Sequence, residues 1–206
     1  MSTDPDTSDP DAALLELPFD QYQRYRVAAD LVALLDVPAD RPIVDVGGGP
    51  GFAEAFLPDR EAVVVDVEGK HPGRFVIADG ARLPFTDRTF ACVTSAFLLR
   101  NLADLEQGLR EMKRVTRVGG RVVALEITQP TLPGFTPIFR VYFHRIVPWV
   151  GQLVESDREA YTYLPQSVDR FLAPGALSKL MERIGMRAVT YRRLGMGTVT
   201  VHTGIV

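Results

Sequence analysis

The stretch "VDVGGGPGFAEAF", residues 44–56, decides the fold. An apolar run ends at Val46. Glycines at 47, 48, 49 and 51 follow, with Pro50 among them, and the chain then reads as a helix as far as Phe56. Every ordered glycine costs backbone entropy, so four glycines in five positions mark backbone geometry or a close approach that a side chain would forbid. A strand, a glycine-rich turn and a helix form a nucleotide site, because the turn lets a ligand reach the backbone and the first helical N–H groups lack partners. Gly47, Gly49 and Gly51 are spaced G-x-G-x-G, not G-x-G-x-x-G, and Pro50 suits a first helical turn. This spacing favours a methyltransferase loop over a dinucleotide loop.

Moving outward, "RPIVDV" (41–46) is the strand feeding the loop. "AVVVDV" (62–67), "RFVIAD" (74–79), "FACVTSAF" (90–97) and "GGRVVALEI" (119–127) are four further buried strands, the last entered through a Gly-Gly turn. "DLEQGLREMKRVT" (104–116) is an amphipathic helix with Leu105, Leu109, Met112 and Val115 on one side. Continuous apolar strands alternating with helices predict an α/β fold, a Rossmann-like and mostly parallel sheet covered on both faces. "GALSKLMERIG" (175–185) is a later helix. "RAVTYRRLG" and "GTVTVHTGIV" predict a C-terminal hairpin whose last strand is antiparallel. Residues 20–35 have near-helical spacing, and 1–12 read as a disordered acidic arm. Residues 13–206 then form a single domain, with an insertion or lid at about 128–174 that is rich in proline and aromatics. Only eight residues, 67–74, join the second strand to the third. That is too few for a helical crossover, so the connection is an extended loop or the third strand is short and poorly paired.

The composition is that of a globular protein of 206 residues, 46% hydrophobic and 24% charged, with net charge −3. No broad basic face points to nucleic acid. The single cysteine, Cys92, lies in an apolar run and reads as a buried thiol. No stretch has the apolar length of a membrane span, nothing near the start reads as a signal peptide, and no His/Cys cluster has metal-ligand spacing. These features fit a cytoplasmic location, with membrane association left open.

Asp66 ends the second strand about 20 residues beyond the loop's first glycine, where a carboxylate accepts ribose hydroxyls. Asp79 ends the third strand and can meet an adenine amino group, with Leu83 and Phe85 flanking the ring; the alternative is a turn-forming Asp-Gly. Asp45 either orders the glycine loop or meets the amino group of an amino-acid tail.

From 78 to 130 the segments "LPF", "VTSAFLLRNLAD", "LREMKRV" and "GGRVVALE" resemble the ubiquinone/menaquinone biosynthesis C-methyltransferases, a branch of the class I S-adenosylmethionine-dependent methyltransferases. The resemblance resumes in "VYFHRIVPWVGQLVESDREAYTYLPQSV" and ends with "VTVHTG". Ala91 departs from the family's usual Asp and Val118 from its Pro, the helix between strands two and three is missing, and Tyr22 and Tyr25 only loosely match an N-terminal tyrosine motif. The resemblance implies S-adenosyl-L-methionine as methyl donor, with S-adenosyl-L-homocysteine as product. It also implies a small-molecule substrate, a prenylated hydroquinone methylated on carbon. The cofactor set becomes Asp45, Gly47, Gly49, Gly51, Asp66, Asp79, Gly80 and Ala96. Arg100 and Asn101 match the catalytic pair, and Tyr142, Tyr161, Tyr163 and His202 match substrate positions. For Arg100 the bland alternative is an ion pair with Asp104 or Glu106. Other readings are a methyltransferase acting on O, N or C of another small molecule and a noncatalytic cofactor-binding regulator. A homodimer and peripheral membrane contact through 135–150 stay open.

Overall fold

The structure, a computed structural model, describes residues 26, 29–30, 32–33, 37, 40–49, 60–69, 74–146 and 165–206. The acidic arm, most of the 20–35 helix, the helix beginning at Pro50, Gly51, Tyr161 and Tyr163 lie outside the described residues.

Seven strands form one sheet: β1 (Ile43–Val46), β2 (Ala62–Asp66), β3 (Phe75–Ile77), β4 (Phe90–Ala96), β5 (Thr116–Ile127), β6 (Arg187–Leu194) and β7 (Val199–Ile205). Their order is β3-β2-β1-β4-β5-β7-β6. Neighbours from β3 to β5 pair in parallel, and β7 runs antiparallel to both β5 and β6. The mostly parallel α/β sheet and the terminal hairpin are as expected. β3 is only three residues long, yet Phe75, Val76 and Ile77 pair in register with Val64, Val65 and Asp66. A short third strand is thus how the chain accommodates the brief connection.

Order reverses at β1: the chain builds outward to β2 and β3, then returns to place β4 on the other side. The crevice at such a reversal, beyond the carboxyl ends of the strands, is where open α/β sheets bind ligands. The loops after β1 and β4 frame it here.

Two helices cover one face of the sheet. Helix α1 (Leu105–Val115) is N-capped by Asp104, whose carboxylate accepts the Gln107 N–H at 3.0 Å. Leu109, Met112 and Val115 turn inward, and Thr116 Oγ1 donates to the Met112 carbonyl as the chain leaves directly into β5. Helix α3 (Pro174–Arg183) starts with proline in its first turn and ends on Gly185 at φ +87°. There Gly185 N–H donates to the Glu182 carbonyl and Met186 N–H to that of Met181. Between α1 and α3 in sequence, α2 (Phe135–Val141) runs into a π-helical turn at Tyr142–Ile146. The opposite face buries Ile43, Val64, Cys92, Val123 and Val201 together with Val32 and Val37.

The Gly-Gly pair is not a turn into β5. The strand has already begun at Thr116, and the register with β4 jumps from Phe90↔Thr116 to Cys92↔Arg121. Gly119 has φ +77°, and a Cβ on Gly120 would lie 2.6 Å from the Ala91 carbonyl. The pair makes a bulge where two backbones touch.

Candidate active site

Three successive backbone positions after β1 carry no side chain for different reasons. Gly47 has φ +77°, and its Cβ would lie 2.8 Å from Leu98 Cβ. A Cβ on Gly48 would meet Asp45 Oδ2 at 2.6 Å and Val64 Cγ1 at 2.7 Å. Gly49 has φ +57° and donates its N–H to Asp66 Oδ2 at 2.9 Å. The other oxygen of Asp66 accepts the Val67 N–H at 2.7 Å. One half-buried carboxylate therefore ties the end of β2 to the glycine loop.

Asp45 is buried beneath this loop. The β1–β4 register sets it opposite Thr94, whose Oγ1 donates to Asp45 Oδ1 at 2.7 Å. Asp79 is exposed at the end of β3 and folds its turn by accepting the Ala81 N–H at 2.8 Å. Gly80 is buried, with Leu98, Leu102 and Val46 each 3.3 Å from where a Cβ would stand. Leu98 therefore lies against both Gly47 and Gly80, and it immediately precedes the 3₁₀ turn Leu99–Asn101. Ala96 is buried at the end of β4.

Leu83 is not at the site. It is part of the core, its N–H donating to Glu111 Oε2, and Phe85 packs edge-on against Phe90 at 4.9 Å. Hydrogen bonds from Arg114 hold the Glu111 carboxyl below the usual range, and the same guanidinium binds the Leu83 and Phe85 carbonyls. The "LPF" segment is a strut fixed to α1. Exposed apolar surface beside the two carboxylates comes instead from Val67, next to Asp66, and from Ile77, which pairs with Asp66 across β2 and β3. The sequence reading passed over both, although an apolar residue following a strand-end carboxylate is a usable signal.

Arg100 pairs with neither Asp104 nor Glu106. Asp104 caps α1, and Glu106 binds Arg110 and Arg183. Arg100 Nη1 donates to Glu126 Oε2 at 2.8 Å, with side chains 9% and 1% exposed. Its guanidinium lies 5.4 Å from the Phe97 ring centre. Asn101 Nδ2 donates to the Phe97 carbonyl at 3.2 Å. Burial raises the proton affinity of Glu126 above that of an ordinary carboxylate, against the opposing pull of Arg100. Glu126 is missing from the sequence reading, yet a lone carboxylate inside "VVALEI" calls for a buried cation.

Tyr142 lines an apolar groove of about 830 Å³ between α2 and the β6–β7 turn, with Phe135, Phe139 and Met196; neither Arg100 nor Asn101 lines it. His202 is fully buried, its ring stacked on Tyr191 at 5.3 Å and its Nε2 3.0 Å from the Pro174 carbonyl. A carbonyl only accepts, so Nε2 carries the proton. The structure brings Asp45, Gly47, Gly49, Asp66 and Gly80 together around the β1 loop and packs Leu98, which leads into the Arg100–Asn101 turn, against Gly47 and Gly80; it places Tyr142 on an apolar groove beside α2 and His202 in the core.

A sequence model described as the ubiE/COQ5 methyltransferase family matches residues 52–206. The chain belongs to that family. Among its relatives, the demethylmenaquinone methyltransferase of Roseiflexus castenholzii is 40% identical over 189 residues, 84% of this chain and 79% of that protein. The ubiquinone/menaquinone biosynthesis C-methyltransferase UbiE of Hahella chejuensis is 35% identical over 189 residues, 82% of this chain and 76% of that protein. In fold, the chain resembles an S-adenosylmethionine-dependent methyltransferase from Archaeoglobus fulgidus, with TM-score 0.61, 14% identity, and 89% of this chain and 94% of that one covered. This ubiE/COQ5-family chain is an S-adenosylmethionine-dependent methyltransferase, and its residues fit the cofactor. Residues 47–49 after β1 carry no side chains over their backbone, and the carboxylates of Asp66 and Asp79 stand at the end of β2 and just beyond the end of the adjacent strand β3. Among the described residues no helix is long and apolar enough to cross a membrane.

Proposed function

We propose that this chain methylates a ring carbon of a prenylated hydroquinone, of the demethylmenaquinol or ubiquinol-precursor type. The Roseiflexus and Hahella relatives carry names for that chemistry. The observation that carries the reading for this chain is the contact of Leu98 with Gly47, because it fixes the Arg100–Asn101 turn beside the cofactor loop.

Bound S-adenosylmethionine supplies a methyl that is electrophilic without further activation. Asp66 would hold the ribose hydroxyls, Asp79 the adenine edge, and the 47–49 backbone and Asp45 the amino-acid tail. Alignment of acceptor and methyl is the main catalytic contribution of such a site. The acceptor must also lose a proton. A phenol ionises near pH 10, so forming the anion at pH 7 costs about 4 kcal/mol. Arg100 supplies a fixed positive charge to offset that cost, and Asn101 orients the quinol oxygen or a water.

The test is to incubate the protein with deuteromethyl-labelled S-adenosylmethionine and short-tail demethylmenaquinol. Label on a ring carbon is expected. Label on oxygen, or S-adenosylhomocysteine binding with no transfer to any quinol, overturns the reading.

A further inference from the structure

A guanidinium keeps its own protons in proteins, so Arg100 acts as a charge whose placement decides its effect. Glu126 stands directly behind it. Its Oε2 takes the Nη1 hydrogen bond at 2.8 Å, the backbone N–H groups of Leu99 and Arg100 also act on its carboxylate, and Arg100 Nε is buried without a hydrogen-bond partner. A buried ion pair left partly unsatisfied is costly, and a functional site is where such a cost is expected. Arg100 is held from a second side by Phe97, a non-glycine residue at φ +61° whose carbonyl is in turn bound by Asn101.

We propose that Glu126 is the positioning residue through which Arg100 acts, fixing the guanidinium so that its charge faces the acceptor. The effect on the acceptor rests on the quinol reading. Arg100 and Glu126 keep their own protonation states throughout. The quinol O–H bond breaks with its proton leaving to water, and the fixed Arg100 charge stabilises the quinol anion whose ring carbon attacks the methyl. Afterwards the ring C–H proton leaves to water and the quinol oxygen takes a proton back from water. The net release is one proton.

The surroundings support this assignment. Arg100 on the 3₁₀ turn is the cation whose field acts on Glu126. Across β4, Ser95 pairs with Ala124 on the same face, and across β7 the neighbours are Thr200 and His202. His202 is held neutral by burial. On α1 and α3, Glu106, Arg110 and Arg183 bind one another, Glu111 binds Arg114, and Lys113 binds the Ile184 carbonyl.

The test compares wild type, Glu126→Gln and Glu126→Asp with S-adenosylmethionine and short-tail demethylmenaquinol from pH 6 to 10. For Glu126→Gln, kcat should fall about 100-fold at pH 7, the size of losing one preorganised contact to a developing anion. S-adenosylhomocysteine affinity should stay within about twofold, and the kcat deficit should shrink to under about tenfold near pH 10, where the quinol ionises unaided. Glu126→Asp, which keeps the charge, should recover about tenfold of the loss, and it carries the pH test should Glu126→Gln fail to fold. A deficit equal at every pH, a matching loss of cofactor affinity, or full activity overturns the proposal. A second readout needs no turnover: the Arg100 side-chain N–H resonance, assigned with Arg100→Lys, should exchange slowly in wild type and Glu126→Asp and rapidly in Glu126→Gln. A locked Arg100 in a wild type that methylates no quinol would sink the quinol reading and leave the positioning intact. A freely exchanging Arg100 in wild type would sink the positioning.

Discussion

Asp66 Oδ2 accepts the Gly49 N–H at 2.9 Å, joining the ends of β2 and β1 across 17 residues of sequence. On the proposed reading the same carboxylate also takes the ribose hydroxyls, so it would serve loop and ligand together. Asp66→Ala should weaken S-adenosylhomocysteine binding about 100-fold, the equivalent of two charge-assisted hydrogen bonds at the lower end of their range. Titration calorimetry measures this. Affinity unchanged in a folded variant would remove Asp66 from the site.

Two glycines make opposite predictions. At Gly48 a Cβ would meet Asp45 Oδ2 at 2.6 Å and Val64 Cγ1 at 2.7 Å, and neither can retreat within the sheet. Gly48→Ala should destabilise by about 1–3 kcal/mol and weaken cofactor binding. At Gly175, in the first turn of α3, a Cβ would meet nothing within 4 Å. Gly175→Ala should stabilise by about 0.4–1 kcal/mol through the unfolded chain. Urea unfolding of both variants distinguishes crowding from entropy.

The buried pair should show strong coupling. Arg100→Met leaves the Glu126 charge alone in the interior and should cost about 3–5 kcal/mol. Adding Glu126→Leu should recover most of that loss, because the unpaired charge is gone. Since Arg100 opposes the rise that burial gives the Glu126 carboxyl, removing it raises that proton affinity further, and the Arg100→Met deficit should be larger at pH 8 than at pH 5.5. Denaturant unfolding at the two pH values measures both effects. Additive single losses would show that the two side chains do not depend on each other.

His202 titrates in the opposite sense. Desolvation lowers its folded-state pKa below the ordinary 6.5, against the weaker raising effect of the Pro174 carbonyl. Below 6.5 the unfolded chain therefore binds the proton more readily than the folded one, and stability falls with pH until the folded-state value is passed. Wild type should lose stability between pH 7.5 and 5.5 more steeply than His202→Asn. The difference between the two curves isolates the histidine from every other group. Parallel curves would place the ring in a more polar setting than the stack on Tyr191 provides.

Local signals carried far in this chain. The apolar runs located β1, β2 and β4 because strands buried on both faces need no partner information to be recognised. The helix over 104–116 was legible from its spacing and from Asp104 at its start. Counting residues between Asp66 and Phe75 left an extended loop or a short, poorly paired third strand, and β3 is short but paired in register. The Gly-Gly pair misled because a turn and a bulge demand the same residue type. Only the approach of the Ala91 carbonyl to Gly120 separates them. Leu83 misled because an apolar residue beside a strand-end aspartate can face a ligand or a core, and the Arg114–Glu111 strut decides for the core.

By itself the sequence determined the parallel sheet, the glycine loop after β1 and the carboxylate at the end of β2, since each rests on backbone freedom or hydrophobic period within a few residues. The tertiary structure alone decided that Arg100 meets Glu126 and not its near neighbours Asp104 and Glu106. That choice follows from the lateral pairing of β4 with β5, which carries a carboxylate 26 positions away to the turn leaving β4. Charges close along the chain are drawn off by a helix cap and by arginines on α1 and α3, so proximity in sequence loses to register in the sheet.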